Sequence, residues 1–206
     1  MSLTLIIIIA TVAISFYTWS KPGLHYKFMM NPYQMATRNE YWRLLTSGFI
    51  HSNYTHLGFN MFTLFFFGGV VEQLFAMEKG PSASLFFLVF YLSAIVISDL
   101  PVAWKNRHNP GYNSLGASGA VSAMVFCSIL YMPLNKIYLF GIVGIPGFIL
   151  GAFYIVYSYS QGKKMSDNIN HEAHLYGALY GILFGLLVSP QSGPDFFDQI
   201  LHYRIF

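Results

Sequence analysis

Charge and cysteine are what this sequence has least of. Charged residues make up 9% of its 206 residues, whereas a soluble domain usually carries about 25%. The net charge is +3, and no cluster of basic residues indicates nucleic-acid binding or a patch for lipid headgroups. A single cysteine, Cys127, excludes an intrachain disulfide. The low charge, together with 55% hydrophobic residues, predicts a membrane protein.

Long apolar runs fill most of the chain. Each is close to the ~20 residues with which a helix crosses a bilayer core, and they cover residues 3–19, 57–77, 82–104, 115–132, 137–158 and 171–188. We therefore predict a single all-α domain over residues 1–206, a polytopic bundle of six transmembrane helices. We expect the first run to be retained rather than cleaved as a signal, because no basic segment precedes it and no small-x-small site follows it.

The connection between the first two runs is long and rich in large apolar side chains. It covers residues 20–50 and contains Met29, Met30, Tyr33, Tyr41 and Trp42. Long connections in compact proteins are usually functional or disordered. We predict that this one is ordered and partly embedded beside the bundle.

Polar side chains recur near the start of the second, fourth and sixth runs. They are His51, His56, Asn60, Ser118, His171 and His174. A polar or ionisable side chain inside a membrane helix is costly, so it indicates function by default. Alternate helices of such a bundle run in the same direction, so their N-terminal ends share one face. The pattern predicts one polar site at one depth.

Small residues line the fourth and sixth runs at helical spacing. The sixth run has two overlapping G-x-x-x-G spacings, formed by Gly177, Gly181 and Gly185. The fourth run pairs Gly116 with Ala120 and Gly119 with Ala123. Stripes of this kind let two membrane helices approach closely. We predict that these two helices pack together and bring Ser118 towards His174.

A serine beside a histidine indicates nucleophilic chemistry. A hydroxyl attacks only when a base accepts its proton, and histidine is the usual base. Acyl transfer also needs donors at the developing oxyanion, and the backbone N–H of Ser118 with the side chains of His56 and Asn60 could supply them. Asp167 and Glu172 are near His174 in sequence, but Glu172 points about 200° around the helix from it. A Ser–His dyad is therefore favoured over a triad.

These residues together resemble the rhomboid intramembrane serine proteases, over essentially the whole chain. The stretches that carry the resemblance are GASGA (116–120), AHLYGALYG (173–181), HSNYTHLGFN (51–60), EYWRLLTSGFIH (40–51) and GGVVE (68–72). They are similar to the family's G-x-S-G box, its A-H-x-x-G-x-x-x-G box, its H-x4-H-x3-N element, its Trp-Arg stretch and its Gly-Gly-x-x-Glu helix end. Each motif is weak alone, whereas several in the right order are a strong signal.

The resemblance implies a function and a role for each of these residues. It implies an intramembrane serine endopeptidase with Ser118 as nucleophile and His174 as base. His56, Asn60 and the Ser118 amide would stabilise the oxyanion, and the supporting residues would be His51, Gly116, Gly119 and Gly177. The partners would be transmembrane protein substrates and the lipid bilayer, with no cofactor, metal or nucleic acid.

One position departs from the family's pattern. Many bacterial members carry an aromatic residue four positions after the nucleophile, where its ring packs against the histidine, and here that position is Ser122. Either His174 is held less rigidly, with lower activity, or another aromatic residue takes the place.

Other functions fit the residues less well. A metalloprotease would present H-E-x-x-H, whereas HEAH (171–174) has its histidines three apart. An α/β-hydrolase would need a strand before the serine and G-x-S-x-G, but Ala120 stands at the last position. A transporter, or a catalytically weak or inactive rhomboid-like factor that binds membrane proteins, stays open.

Orientation is predicted from the resemblance rather than from charge. The family's bacterial members imply the bacterial cell membrane, both termini in the cytoplasm, and a Ser118 site that opens to the external or periplasmic side. That orientation leaves eight basic residues outside and three inside, against the positive-inside tendency. Four of the eight lie in the long first connection, and without them the count is four against three.

Overall fold

Helices account for most of the structure. It is a computed structural model that describes residues 2–139, 141–164 and 169–204. In that part of the chain the α-helices are α1 (Leu3–Trp19), α2 (Pro22–Phe28), α3 (Pro32–Arg38), α4 (Arg43–Thr46), α5 (Tyr54–Lys79), α6 (Ala83–Lys105), α7 (Ser118–Tyr131), α8 (Gly147–Lys164), α9 (His171–Val188) and α10 (Ser192–Leu201). Two 3₁₀ turns, Ser47–Phe49 and Gly80–Ser82, and two strands, β1 (Lys136–Leu139) and β2 (Val143–Pro146), complete it.

The fold is mostly helical, as predicted, but the fifth apolar run begins as a β-hairpin, which corrects the helix predicted over residues 137–158. β1 pairs antiparallel with β2, and Lys136 lies opposite Pro146. Both strands contain β-branched or aromatic residues, which favour strands: Ile137 and Tyr138 in β1, and Val143 and Ile145 in β2. Gly141 between them has a φ of 72°, which glycine adopts without steric cost. A helix interior disfavours proline because it lacks the N–H. The helix predicted from residue 137 therefore begins only after Pro146.

Length and hydropathy single out one membrane-crossing segment among the described residues. It is Tyr54–Lys105, with 52 residues and a mean hydropathy of 2.2 in its most apolar window. The pair α9 and α10, bent by 112°, adds a second if it counts as one span, and α1 and α7 are apolar but shorter. Six crossings therefore remain a prediction.

The 52-residue segment folds back on itself. The turn falls at Gly80–Ser82, where Gly80 has a φ of 51°. The rings of Phe75 on α5 and Phe90 on α6 lie 5.7 Å apart, whereas fifteen residues of continuous helix would separate them by ~22 Å. α5 and α6 therefore form an antiparallel pair around a shared apolar core.

The connection between α1 and α5 is folded around the side chain of Arg43. This guanidinium is 3% exposed, forms an ion pair with Glu40 at 2.6 Å, and donates to Gln34 at 2.8 Å. It also donates to the carbonyls of Tyr26, Lys27 and Met29. One donating side chain thus binds five acceptors and ties α2, α3 and α4 together. The connection thus consists of short helices held by one side chain, and its partial embedding beside the bundle remains a prediction.

Glu72 fixes the start of α1. Its carboxylate accepts hydrogen bonds from the amides of Leu3 and Thr4, at 2.8 and 3.1 Å, and from the Thr4 hydroxyl at 2.8 Å. The first amides of a helix have no partner within the helix, and negative charge is favoured at that end. The GGVVE stretch therefore joins α5 to α1.

Helices α7 and α9 approach to the limit that glycine allows. A β-carbon on Gly177 would stand 2.8 Å from the carbonyl carbon of Gly119, and one on Gly181 would stand 2.8 Å from that of Ala123. α6 presses on the same turn, because a β-carbon on Gly119 would lie 2.7 Å from the Ser98 Cβ. The predicted contact between the two small-residue stripes is confirmed.

We predict that Gly181→Ala destabilises the protein, whereas Gly69→Ala does not. The new methyl group of Gly181→Ala would be forced against the α7 backbone, and overpacking of this kind costs ~1–3 kcal/mol. At Gly69 no atom lies within 4 Å of an added β-carbon. Thermal unfolding of the detergent-solubilised variants measures the difference. Equal melting temperatures for the two variants would contradict the contact.

Candidate active site

Ser118 is the first residue of α7. The two residues before it are each held by a hydrogen bond that the backbone amide donates. The Gly116 amide donates to the Ser47 carbonyl at 2.9 Å, and the Ala117 amide donates to Nε2 of His51 at 3.4 Å. The Ser118 amide belongs to the first turn, whose N–H groups have no acceptor within the helix. These groups are oriented to bind negative charge.

The imidazole ring of His51 supports this turn and is neutral. Because Nε2 accepts from Ala117, the proton lies on Nδ1, which donates to the Ser15 hydroxyl at 3.2 Å. That hydroxyl in turn donates to the Phe49 carbonyl at 3.2 Å. Burial, and secondarily the neighbouring His56, lower the pKa of His51 to about 3. The ring therefore stays uncharged and joins α1 to the start of α7.

His56 lies directly against Gly116. A β-carbon on Gly116 would stand 2.6 Å from Cε1 and 2.8 Å from Nε2 of His56. Gly116 also has a φ of 117°, a conformation that other residues rarely adopt. Glycine is thus required here for two reasons, its φ and its lack of a side chain. The missing side chain lets the His56 imidazole pack against Gly116, which lies two residues before Ser118 in the sequence. On the other side of the ring, Nδ1 lies 3.1 Å from the Ser52 hydroxyl.

Asn60 lies one helical turn after His56 and is 6% exposed. Its amide group donates to the His56 carbonyl at 2.9 Å. An NH₂ group has two hydrogens, so this bond leaves one for another acceptor. His56 and Asn60 share one face of α5, as their spacing of four predicts. A role at an oxyanion remains a prediction for both.

The first turn of α9 brings His174 to the Ser118 turn. A β-carbon on Gly119 would lie 3.4 Å from the Ala173 carbonyl oxygen, and Gly177 contacts the Gly119 backbone. Ser118 and His174 are thus each adjacent to a residue of this contact. Ser118, His174 and His56 are all partly exposed, whereas His51 is buried. The three candidate reacting side chains are accessible, and the supporting one is not.

Tyr154 on α8 packs against His174. The two rings are nearly parallel, with an interplanar angle of 22° and centroids 6.4 Å apart. The Tyr154 hydroxyl lies 2.7 Å from the Ser122 hydroxyl, and its ring is 5.5 Å from that of Phe126. Two residues of α7 therefore hold the tyrosine that supports the histidine of α9.

Comparison with known proteins identifies the family. Residues 38–191 match the model of the Rhomboid domain, which is about three quarters of the chain and includes all the residues above from His51 to His174. This chain belongs to the rhomboid family.

Two curated relatives show how far the similarity extends. The chain is 29% identical over 164 residues to RHOMBOID-like protein 12, mitochondrial, of Arabidopsis thaliana, an alignment that covers 74% of this chain and 49% of that protein. It is 30% identical over 146 residues to Rhomboid protease AarA of Providencia stuartii, covering 64% of this chain and 51% of that protein. The chain thus spans about half the length of these relatives. One of these relatives is mitochondrial and the other is bacterial.

Of the two acidic residues near His174 in the sequence, one forms an ion pair with another residue and one lies outside the described residues. Glu172 forms an ion pair with Lys105 at 2.6 Å, and Asp167 lies outside the described residues. Asp99 on α6 is 7% exposed and accepts a hydrogen bond from Asn170 at 3.2 Å. No group of three or more metal-ligating side chains occurs among the described residues.

The sequence of this rhomboid does not indicate which aromatic ring packs against His174. In the structure that ring is Tyr154. The departure at Ser122 pointed to a missing ring, but no spacing rule connects Ser122 to a residue 32 positions later. The one available signal was that a buried serine needs a hydrogen-bond partner. A tyrosine hydroxyl on a neighbouring helix can provide it.

We predict that the ring of Tyr154 matters more than its hydroxyl. Tyr154→Leu should lower cleavage of a model transmembrane substrate about 10-fold or more, since small displacements of a catalytic group are costly. Tyr154→Phe keeps the ring, loses only the bond to Ser122, and should lose less. Tyr159→Leu, on the exposed side of the same helix, is the control. If Tyr154→Leu cleaves as fast as the control, the ring does not support His174.

Proposed function

We propose that this rhomboid is an intramembrane serine endopeptidase that cleaves transmembrane segments of membrane proteins with a Ser118–His174 dyad. The observation that carries the proposal is the glycine contact between α7 and α9, which joins the turn of Ser118 to the turn of His174. Ser118 directly precedes Gly119 of this contact, and His174 lies one helical turn before Gly177.

The proposed reaction has two steps. His174 accepts the proton of the Ser118 hydroxyl as Oγ attacks the scissile carbonyl carbon. The oxyanion that forms receives hydrogen bonds from the Ser118 amide and from His56 and Asn60. His174 then gives the proton to the leaving amine, and an acyl-enzyme remains. A water molecule, deprotonated by His174, then attacks the acyl carbon. As the bond between Oγ and that carbon breaks, His174 returns the proton to Oγ, which releases the carboxyl product and restores Ser118.

The length of α7 supports a site below the membrane surface. Its 14 residues extend ~21 Å, whereas the hydrocarbon core of a bilayer is ~30 Å thick. α5 and α6, with 26 and 23 residues, are both longer than that core. If α7 reaches one face of the membrane at Tyr131, Ser118 lies several ångströms short of the other. The space above it would admit water.

Six membrane crossings by α1, α5, α6, α7, α8 and α9 are part of this proposal. The site would open to the external or periplasmic side of a bacterial cell membrane, with both termini of the chain in the cytoplasm. The substrates would be membrane proteins cut in or near a transmembrane segment.

We expect a fluorophosphonate probe to label Ser118 in detergent-solubilised protein. Ser118→Ala should abolish both labelling and cleavage of a model transmembrane substrate, because no other nucleophile is proposed. His174→Ala should reduce both almost completely, because the hydroxyl would lose its base. Labelling followed by peptide mapping identifies the modified residue.

His171→Ala is the matched control for the histidine. Its ring lies 5.9 Å from that of His174, on the same turn, yet it is buried and has no proposed chemical role. It should retain substantial activity, and a chelator should have no effect. Equal cleavage by Ser118→Ala and wild type would refute the protease, and unlabelled wild-type protein would favour a catalytically inactive rhomboid that only binds membrane proteins.

Orientation can be tested by thiol labelling in intact cells, with Cys127 replaced by alanine. His108 lies in the exposed loop between α6 and α7, at the same end of the bundle as Ser118. His108→Cys should react with a membrane-impermeant thiol reagent from outside.

Gln191→Cys, at the other end of α9, should react only after lysis. The reverse pattern would mean that the protein is inverted and that the positive-inside tendency predicts its orientation correctly.

A further inference from the structure

Asn170 immediately precedes α9 and connects three elements at the active-site end. Its Oδ1 accepts from the Ala173 amide at 3.1 Å, which caps the helix. Its Nδ2 donates to the carboxylate of Asp99 on α6 and to the hydroxyl of Ser114, each at 3.2 Å. An asparagine amide offers two N–H donors and one carbonyl oxygen. Here each of these groups contacts a different element of the fold.

The two acceptors are themselves fixed. Ser114 exchanges both backbone hydrogen bonds with Met30, at 2.9 and 3.0 Å, and Met30 is completely buried. Asp99 lies on α6 and is 7% exposed. A buried carboxylate is stable only when its oxygens are hydrogen-bonded. Asn170 therefore links α9 to two positions that have little freedom to move.

The two residues joined by this hydrogen bond, Ser114 and Asn170, each lie shortly before a residue of the proposed dyad. Ser114 lies four residues before Ser118, and Asn170 lies four residues before His174. The His174 amide donates to the Asn170 carbonyl at 3.2 Å. The segment that leads into the nucleophile and the turn that carries the base are thus joined by one side chain.

We propose that Asn170 is a positioning residue for the Ser118–His174 dyad, acting through the link from α9 to Ser114 and Asp99. The inference rests on the proposed function. The glycine contact sets how close α7 and α9 come, but a smooth contact of small residues does little to resist sliding or rotation of α9. A directional link to Ser114 and Asp99 resists both motions, because its hydrogen bonds weaken when their angles change.

Helix capping alone does not account for asparagine at this position. Serine, aspartate and threonine also cap helices well. A serine, with its shorter side chain, could accept from Ala173 but would not reach both Asp99 and Ser114. An aspartate would place a second carboxylate beside Asp99, which is unfavourable. Asparagine combines a cap with two donors.

The decisive variant is Asn170→Ser, which keeps the cap and removes the link. We expect the rate constant for fluorophosphonate labelling of Ser118 to fall ~10- to 100-fold, as for a misplaced catalytic group. The kcat of cleavage should fall with little change in KM. Because the buried Asp99 loses a hydrogen bond, the melting temperature should fall by a few degrees, so the rates are compared well below the unfolding transition. Ser114→Ala removes one arm and should give a smaller loss in the same direction.

Two variants of Asp99 and one control complete the test. Asp99→Asn keeps an oxygen acceptor and should retain most of the labelling rate, whereas Asp99→Leu should lose it. Asn106→Ala removes a side chain that donates to the Val102 carbonyl of α6 at 2.9 Å and, among the described residues, forms no side-chain hydrogen bond to another helix; this variant should label normally.

Labelling of Asn170→Ser within about 2-fold of wild type would overturn the inference and leave the protease intact. If wild-type Ser118 is not labelled at all, the protease and the positioning role both fail.

Discussion

The rest of the site depends on the close approach of α7 and α9. Gly119 and Ala123 on one helix face Gly177 and Gly181 on the other, with no room for a side chain at either glycine of α9. Lipid supplies no hydrophobic drive between membrane helices, so such contacts gain stability from packing alone. Ser118 lies at one end of this contact and His174 on the turn that faces it. Any residue that separated the two backbones would also separate the hydroxyl from the imidazole.

The polar residues around this contact divide into two layers. Beneath the site, His51, Ser15 and the Ala117 amide form a buried chain of hydrogen bonds that ends at the Phe49 carbonyl. Above it, His56 and His174 remain partly exposed. Buried polar groups must be paired, and this lower layer is paired with parts of α1 and the first connection. Residues with no part in the proposed chemistry therefore hold the backbone of the reactive turn.

The sequence predicted the small-residue contact and the polar face of α5, because both depend on local spacing. G-x-x-x-G spacing fixes one face of a helix, and His56 and Asn60 are one turn apart. It did not predict the β-hairpin, because the apolar residues on both sides of Gly141 and Pro146 form one continuous apolar run in the sequence. It also missed the burial of Asp99 and the position of Tyr154. Those depend on which helices become neighbours, and a single sequence does not encode that in any local pattern.

The position of Tyr154 shows why local motifs and tertiary roles can separate. A ring against His174 has to come from one of the surfaces around it, and α7 and α8 both face that histidine. With serine at position 122, α7 has room for a tyrosine ring from α8 and also supplies the hydroxyl that binds it at 2.7 Å. The support of the imidazole is thereby moved to another helix rather than lost. It follows that the orientation of His174 depends on the packing of α8 as well as on that of α7 and α9.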